Sequence, residues 1–121
     1  MCWYTDVILP IPLHEEKLKQ RGYNQSELIA RGMANILGKP VETNSVRRVT
    51  RSATQTRKSR AERWQNVEGI FVSEADAFEG KSVLLVDDVI TTGATMEACA
   101  REVLKAGARS ISFAVLAIAM K

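Results

Sequence analysis

The 121 residues are 45% hydrophobic and 26% charged, which is ordinary for a folded protein and argues against disorder, so we expect one domain over residues 1–121. The longest apolar stretch, residues 111–120, is too short to span a bilayer and the N-terminus lacks a signal-like segment, so the sequence predicts a cytoplasmic protein without a membrane partner. The net charge of +3 permits nucleic acid as a partner without favouring it, and two cysteines are too few for a disulfide framework.

The first predicted elements are a short strand and a polar loop. Apolar residues 7–9 predict a strand that ends near Pro10, because proline cannot donate a ladder hydrogen bond. Residues 14–25 are largely polar and include Gly22, which predicts a loop.

A helix and two short strands follow in the prediction. Apolar residues recur at helical spacing over residues 28–37, with Ser26 as the predicted N-cap and Gly38 as the stop signal. Residues 41–49 and residues 67–72 each predict a short strand.

The second half of the chain alternates strand, loop, helix and strand. Residues 82–86 are a continuous apolar run, typical of a central strand buried on both faces. An apolar stripe over residues 96–104 predicts a helix that ends at Gly107, and residues 111–118 predict another buried strand. The alternation predicts an α/β fold, a mostly parallel twisted sheet with helices on both faces.

Two adjacent acids, Asp87 and Asp88, follow the predicted central strand. Open parallel sheets bind ligands at the carboxyl ends of their strands. Two carboxylates placed there cost desolvation and mutual repulsion, which ligand hydroxyls or a divalent cation would offset. The pair therefore predicts a binding site.

The segment TTGAT, residues 91–95, begins the next predicted helix. Backbone N–H groups at a helix N-terminus, threonine hydroxyls and a glycine that admits close backbone approach together form a phosphate cradle. Acids and cradle predict a ligand with a diol and a phosphate, as in ribose 5-phosphate. A plain strand-to-helix turn is the simpler alternative, and a phosphoacceptor receiver domain is rejected because no aspartate follows Asp88.

The whole segment VLLVDDVITTGAT, residues 83–95, resembles the phosphoribosyl pyrophosphate signature of type I phosphoribosyltransferases. The resemblance implies that the acid pair holds the ribose hydroxyls, that the following loop holds the 5-phosphate, and that magnesium is carried by the substrate without direct protein ligands. It assigns the acid pair to catalysis as well. The residues implied to bind ribose 5-phosphate are Asp87, Asp88, Thr91, Thr92, Gly93, Ala94 and Thr95.

Further motifs are similar to the ComF family of competence-associated, amidophosphoribosyltransferase-like homologues. Many members begin with a cysteine-rich zinc module that is absent here, along with part of the helix before Asp6, which implies a truncated or minimal version. The similar positions are PIPLH at residues 10–14, RGYNQ at residues 21–25, Gln55, Arg63, Asn66 and Phe71.

Positive charge is concentrated in residues 47–63, which contain seven Lys and Arg residues and only one acid, Glu62. Such a run is often a solvated surface; the resemblance instead implies a lid over residues 51–63 and a second contact from residues 13–25. Cations closing over a pyrophosphate leaving group would stabilise its charge and exclude water. The candidates for the pyrophosphate and the lid are Arg21, Gly22, Arg51, Arg57, Lys58 and Arg60.

The sequence thus predicts a phosphoribosyltransferase that uses phosphoribosyl pyrophosphate and magnesium and transfers the phosphoribosyl group to an unidentified nitrogen acceptor. No segment forms a recognisable nucleobase pocket, and the chain contains no ammonia source for an amidotransferase. The alternative is a catalytically weak phosphoribosyl pyrophosphate sensor, or an accessory protein of DNA uptake, whose basic segment contacts a partner. The sequence is also compatible with a homodimer.

Overall fold

A parallel β-sheet with a helix on each face organises the part of the chain that the computed structural model describes, residues 5–49, 71–90 and 93–118. No helix in these ranges is both long enough and apolar enough to cross a membrane. The elements in chain order are β1 (Val7–Pro10), α1 (Glu15–Arg21), α2 (Gln25–Leu37), β2 (Val46–Arg48), β3 (Phe71–Ser73), β4 (Ser82–Ile90), α3 (Ala94–Lys105) and β5 (Ser110–Ile118).

The sheet has the order β1-β4-β5, so β4 is its central strand. Both neighbours run parallel to β4, with Val7 opposite Val83 and Val83 opposite Ile111. Parallel strands need crossover connections, and the helices that supply them cover the faces of the sheet. The predicted α/β fold is confirmed.

The two helices bury alternate residues of the same strands. On one face α2 packs over Ile8, Leu84 and Val86. On the other face α3 packs over a cluster that includes Val83 and Leu85. Since both faces are covered, the first half of β4 is apolar without alternation, and burying each such side chain stabilises the fold by about 1.5–3 kcal/mol.

A two-stranded antiparallel sheet of β2 and β3 lies beside the α3 face. Val46 and Phe71 contribute to the same buried cluster as α3. The strand predicted over residues 41–49 corresponds to β2. The strand predicted over residues 67–72 begins at Phe71 in the structure, and its earlier positions lie outside the described residues.

The predicted loop over residues 14–25 is wrong, because it contains the helix α1. The charges that suggested a loop are arranged along the helix axis, with Glu15 and Glu16 in the first turn and Lys19 and Arg21 in the last. Acids near the N-terminus and cations near the C-terminus complement the helix dipole. Such a helix needs no buried apolar stripe, and none of its residues is buried.

The N-cap of α2 is Asn24, so the prediction of Ser26 is wrong. The Asn24 side chain accepts a hydrogen bond from the backbone N–H of Ser26 at 3.0 Å. Ser26 is therefore inside the first helical turn, and its side chain is buried. Both residue types favour the N-cap position, so the sequence pattern did not separate them.

The strand β5 is much less buried than the prediction required. Phe113, Leu116 and Ile118 expose 53%, 70% and 66% of their surfaces. β4 pairs with one side of β5, and no described strand pairs with the other side. An apolar run predicts a strand but does not show which strand lies at the edge of the sheet.

We expect Gly107→Ala to destabilise the fold more than Gly38→Ala. Both glycines have positive φ, at +99° and +68°, so alanine at either position costs about 1–2 kcal/mol of backbone strain. Only at Gly107 would the new Cβ meet backbone, 2.9 Å from the Cα of Glu79. That clash should add about 1–3 kcal/mol, measured by urea unfolding. Equal losses for the two variants would contradict this packing.

Candidate functional site

The acid pair lies within β4, at the carboxyl end of the sheet. β4 continues to Ile90, four residues beyond its predicted end, so Asp87 and Asp88 belong to the strand and do not follow it. Both acids are partly buried. The position at the carboxyl end matches the expectation from parallel topology.

A short hydrogen-bond network fixes the two carboxylates. Asp87 Oδ1 accepts from the Ser26 hydroxyl at 3.1 Å and from the Asp88 backbone N–H at 2.9 Å. Asp88 Oδ1 accepts from the Val89 backbone N–H at 2.8 Å. The first of these bonds joins the start of α2 to the end of β4.

Burial raises the pKa of Asp87 above its ordinary value, and the adjacent Asp88 carboxyl raises it further. The hydrogen bonds from Ser26 and from the Asp88 backbone oppose this shift without cancelling it. The ionised site is therefore under electrostatic strain that a hydroxyl-bearing or cationic ligand would relieve.

A cavity of about 220 Å³ contains the acid pair. Thr95, from the first turn of α3, and Arg21, from the last turn of α1, also line it. The structure thus brings together four of the residues that the sequence singled out, from three different elements.

Some of the other predicted site residues belong to the described part of the chain, and the rest lie outside it. Gly93 and Ala94 begin α3, and Gly93 has φ of +82°, a left-handed conformation that favours glycine. Gly22 ends α1 with φ of +81° and lies next to Arg21. Those that lie outside the described residues are Thr91, Thr92, Arg51, Arg57, Lys58 and Arg60.

Three residues of the site were not predicted as such. Ser26 was assigned to a helix cap, although its hydroxyl contacts Asp87. Asn24 lines the cavity and donates from its side-chain amide to the carbonyl of Ile11 at 3.1 Å, which ties the start of α2 to the end of β1. Arg48 also lines the cavity, and only its place in the basic segment signalled a role.

A second and larger cavity, of about 630 Å³, adjoins the first. Its lining combines apolar side chains of β1, α1 and β2 with polar groups such as Asn44 and Glu27. The residues that line both cavities are Pro12, Leu13, Asn24 and Arg48.

The acid pair has the donor chemistry that magnesium prefers. Mg²⁺ is usually bound through one or two carboxylates together with substrate phosphates, and seldom by an all-protein cage. Asp87 and Asp88 supply two carboxylates in one cavity. Within residues 5–49, 71–90 and 93–118, no group of three or more His, Cys, Asp or Glu side chains is placed to hold a metal ion. The two carboxylates are donors of the type that Mg²⁺ takes from a protein when substrate phosphates supply its other ligands.

The fold and the site define a phosphoribosyltransferase-type domain. The model of the phosphoribosyl transferase domain family matches residues 24–121, so the chain belongs to this family, as the sequence predicted.

The curated relatives of the chain include two competence proteins and several proteins named DNA utilization protein YhgH. It is 35% identical over 108 residues to competence protein F of Haemophilus influenzae, covering 88% of this chain and 47% of that protein. It is 36% identical over 107 residues to competence protein ComFC of Bacillus subtilis, covering 88% of this chain and 42% of that protein. The chain therefore spans a little under half the length of these relatives.

Solved structures agree on the fold. Glutamine phosphoribosylpyrophosphate amidotransferase from B. subtilis, complexed with ADP and GMP, matches with a TM-score of 0.68 and 25% identity. The match covers 96% of this chain and 23% of that one.

We expect Asp87→Asn to stabilise the empty protein at neutral pH. The pKa of Asp87 is raised in the folded state, so its contribution to stability is present below the ordinary pKa of 3.8 and is lost as pH rises through the raised value. Asparagine does not ionise, so the variant does not lose stability in this way. The difference in unfolding free energy between the variant and the parent should therefore be largest near pH 7 and should shrink as the solution is acidified. Urea unfolding of both proteins from pH 4 to pH 7.5 measures the difference.

The control is Glu74→Gln, which changes a solvent-exposed carboxylate. Its unfolding free energy should follow that of the parent protein across the same range. A variant at Asp87 that is less stable than the parent at pH 7 would show that the carboxylate is a structural anchor.

Proposed function

We propose that this chain binds phosphoribosyl pyrophosphate together with magnesium and transfers its phosphoribosyl group to a nitrogen acceptor. The observation that carries the proposal is the carboxylate pair at the carboxyl end of β4, in one cavity with Thr95 of α3 and Arg21 of α1. Negative, hydroxyl and positive groups thus line a single small space. Phosphoribosyl pyrophosphate has a diol, a monophosphate and a pyrophosphate that match these three kinds of group.

The acid pair binds the ribose in this proposal. The described contacts of both carboxylates are made by Oδ1, and the proposal assigns Oδ2 of Asp87 and Asp88 to the ribose hydroxyls. The hydrogen bond from Ser26 holds Asp87 in place, so the ribose meets an oriented acceptor. Ligand hydroxyls then offset the burial that raises the pKa of Asp87.

The start of α3 binds the 5-phosphate. The first backbone N–H groups of a helix have no partner within the helix, and the helix dipole favours an anion there. Gly93 precedes this helix in a left-handed conformation. Thr95 lies in the first helical turn and lines the cavity, and its side chain has a hydroxyl group that can donate a hydrogen bond. An anion at this position needs no charged side chain.

The transfer itself exchanges one bond at the anomeric carbon for another. The bond from C1 to the pyrophosphate oxygen breaks and its electron pair leaves with pyrophosphate, while the nitrogen lone pair forms the new bond and the nitrogen then loses a proton to solvent. The carboxylates stabilise positive charge that develops on the sugar, and Arg21 stabilises negative charge on the leaving group. Magnesium, when bound with the substrate, neutralises part of the pyrophosphate charge.

A second candidate is a phosphoribosyl pyrophosphate-binding accessory protein of DNA uptake with weak or no turnover. The similarity to competence protein F and competence protein ComFC favours it. Release of pyrophosphate with purine, pyrimidine or ammonia acceptors separates the two, because only the enzyme turns over.

Phosphoribosyl pyrophosphate with magnesium should stabilise the protein against heat. A ligand that binds only the folded state at one hundred times its Kd adds about 2.7 kcal/mol, and ribose 5-phosphate should add less because it lacks the pyrophosphate. Thermal melting measures both effects. The double variant Asp87→Asn, Asp88→Asn should melt no lower than the parent and lose most of the ligand-induced shift. If saturating ligand leaves the melting temperature of the parent unchanged, the proposal is wrong.

The basic segment yields a separate prediction. If residues 51–63 form a lid over the pyrophosphate, replacing Arg57, Lys58 and Arg60 with Ala should weaken phosphoribosyl pyrophosphate binding about tenfold and ribose 5-phosphate binding far less. If the segment instead contacts DNA, the same variant should lower DNA affinity and flatten its salt dependence, because fewer counterions are released. Calorimetry and DNA titrations at several salt concentrations distinguish the two. Equal weakening of both sugar phosphates would contradict the lid.

A further inference from the structure

The strand β5 has one edge without a partner among the described strands. β4 pairs with its inner edge, and within residues 5–49, 71–90 and 93–118 no strand pairs with its outer edge. Backbone N–H and C=O groups on such an edge can pair with another strand. β5 is nine residues long, so the edge extends for about 30 Å.

This edge lacks the features that usually protect exposed strands from pairing. Proteins protect an edge strand with lysine or other charged residues, with proline, or with a bulge. The sequence of β5, SISFAVLAI, has no charged residue and no proline, and its register with β4 stays constant along the whole strand. The side chains of Phe113, Leu116 and Ile118 are more than half exposed. The edge is therefore both open and apolar.

The two helices leave part of β5 uncovered. α2 packs mainly on β1 and β4, and its buried cluster includes only Ala114 from β5. On the other face, the cluster under α3 includes Ile111 and Val115. Phe113, Leu116 and Ile118 belong to neither cluster, so a structure added at this edge would bury them.

The order of residue sizes along β5 is complementary to a reversed copy of the same strand. Alternate residues share a face of the sheet. On the α2 face the side chains change from small to large, in the order Ser110, Ser112, Ala114, Leu116 and Ile118. On the α3 face they change from large to small, in the order Ile111, Phe113, Val115 and Ala117. A strand that runs the other way has the opposite order on each face, so large residues meet small ones.

We propose that two copies of this chain pair through β5, with the strands antiparallel and a two-fold axis at Ala114. The nine residues of each strand then overlap completely. Residues directly opposite each other in antiparallel strands are close neighbours, and here Leu116 of one copy is opposite Ser112 of the other. In the same way Ile118 is opposite Ser110. The two three-stranded sheets become one six-stranded sheet.

This inference goes beyond the proposed function and does not rest on it. The two copies of β4 run in opposite directions in the joined sheet. The two cavities that contain the acid pairs therefore lie at opposite ends of the dimer, and pairing requires no change at either cavity.

Charge and area favour a second copy at this edge. The chain has a net charge of +3, so two copies repel each other in general, but β5 brings no charge into the contact. With a helix layer about 10 Å from the sheet on each side, the edge surface measures about 30 by 20 Å, or about 600 Å² per copy. Stable interfaces bury about 1,200–2,000 Å² in total, so the pair reaches the lower end of that range. A two-fold contact uses both β5 edges, so assembly stops at two copies.

Sedimentation equilibrium of the parent and four variants tests the pairing. The variants are Leu116→Glu, Ser112→Lys, the double variant that has both changes, and the control Ile36→Glu. Leu116 and Ser112 are exposed, so neither change removes a buried side chain of the single copy. The control makes the same kind of apolar-to-acid change at a residue of α2 that is 86% exposed.

We expect the parent to be a dimer that dissociates on dilution. Each single variant should raise the dissociation constant about tenfold or more, because it buries a charge without a partner. The double variant should recover most of the affinity, because pairing about Ala114 places the introduced lysine of one copy opposite the introduced glutamate of the other. Within one strand these positions are about 13 Å apart, so the recovery requires two copies. The control should match the parent.

Hydrogen exchange of the parent gives a readout that needs no variant. Alternate N–H groups of β5 point towards β4, and the others should become protected only as the protein concentration rises. If the single variants do not fold, this concentration dependence supports the inference, and exchange that is independent of concentration overturns it.

Three results of the sedimentation experiment would overturn the inference. They are a monomeric parent, a dimer that neither single variant weakens, and a double variant that recovers no affinity. A monomeric parent with protected outward N–H groups would assign the edge to another segment of the chain. A monomeric parent in which these groups exchange freely would leave the edge to a different protein.

Discussion

Keeping two adjacent carboxylates at the end of a central strand is the constraint around which this molecule is arranged. Asp87 is partly buried, and its pKa is raised because water is excluded and Asp88 is next to it. The surrounding elements compensate with hydrogen bonds and positive charge. The start of α2 contributes the Ser26 hydroxyl and the positive end of its helix dipole, and β2 contributes Arg48, whose charge acts on Asp87.

The positive charge near Asp87 only partly compensates its burial, because it does not contact the carboxylate directly. Asp87 and Arg48 are opposite charges lining one cavity, yet they do not form an ion pair. Had they met, each would have satisfied the other and neither would be left to bind a ligand. Holding them apart preserves a negative end and a positive end in a small space, already oriented before a ligand arrives. A substrate with hydroxyls on one part and phosphates on another matches that polarity.

Much of this arrangement was predictable from the sequence, where the signal was local. The apolar run of β4, the acids that end it and the helix of α3 are contiguous in sequence, so their order alone placed the acid pair and Thr95 at one end of the sheet. The helix α1 was missed because its evidence is a charge order along the axis and not an apolar stripe.

The remaining contacts depend on chain segments far apart in sequence. Ser26 and Asp87 are separated by 61 positions, and no spacing rule connects them. The exposure of β5 likewise depends on which strands surround it, which an apolar run does not encode. Arg48 lies in a basic segment from which the sequence singled out other cations, and only its position over the Phe71 ring and the two cavities distinguish it.

The late position of the central strand has a consequence for how the molecule is made. β4 enters the sheet between β1 and β5, and contacts at the amino end of the sheet join residues 76 positions apart, such as Asp6 and Ser82. During synthesis β1 and α2 leave the ribosome before β4 does. The apolar faces of both elements therefore stay exposed until β4 is available to pack against them. Parallel pairing across such a distance requires closing a long loop, which slows folding. The hydrogen bond between Ser26 and Asp87 can form only after that closure, so the arrangement of the acid pair depends on the slow long-range pairing and not on local structure alone.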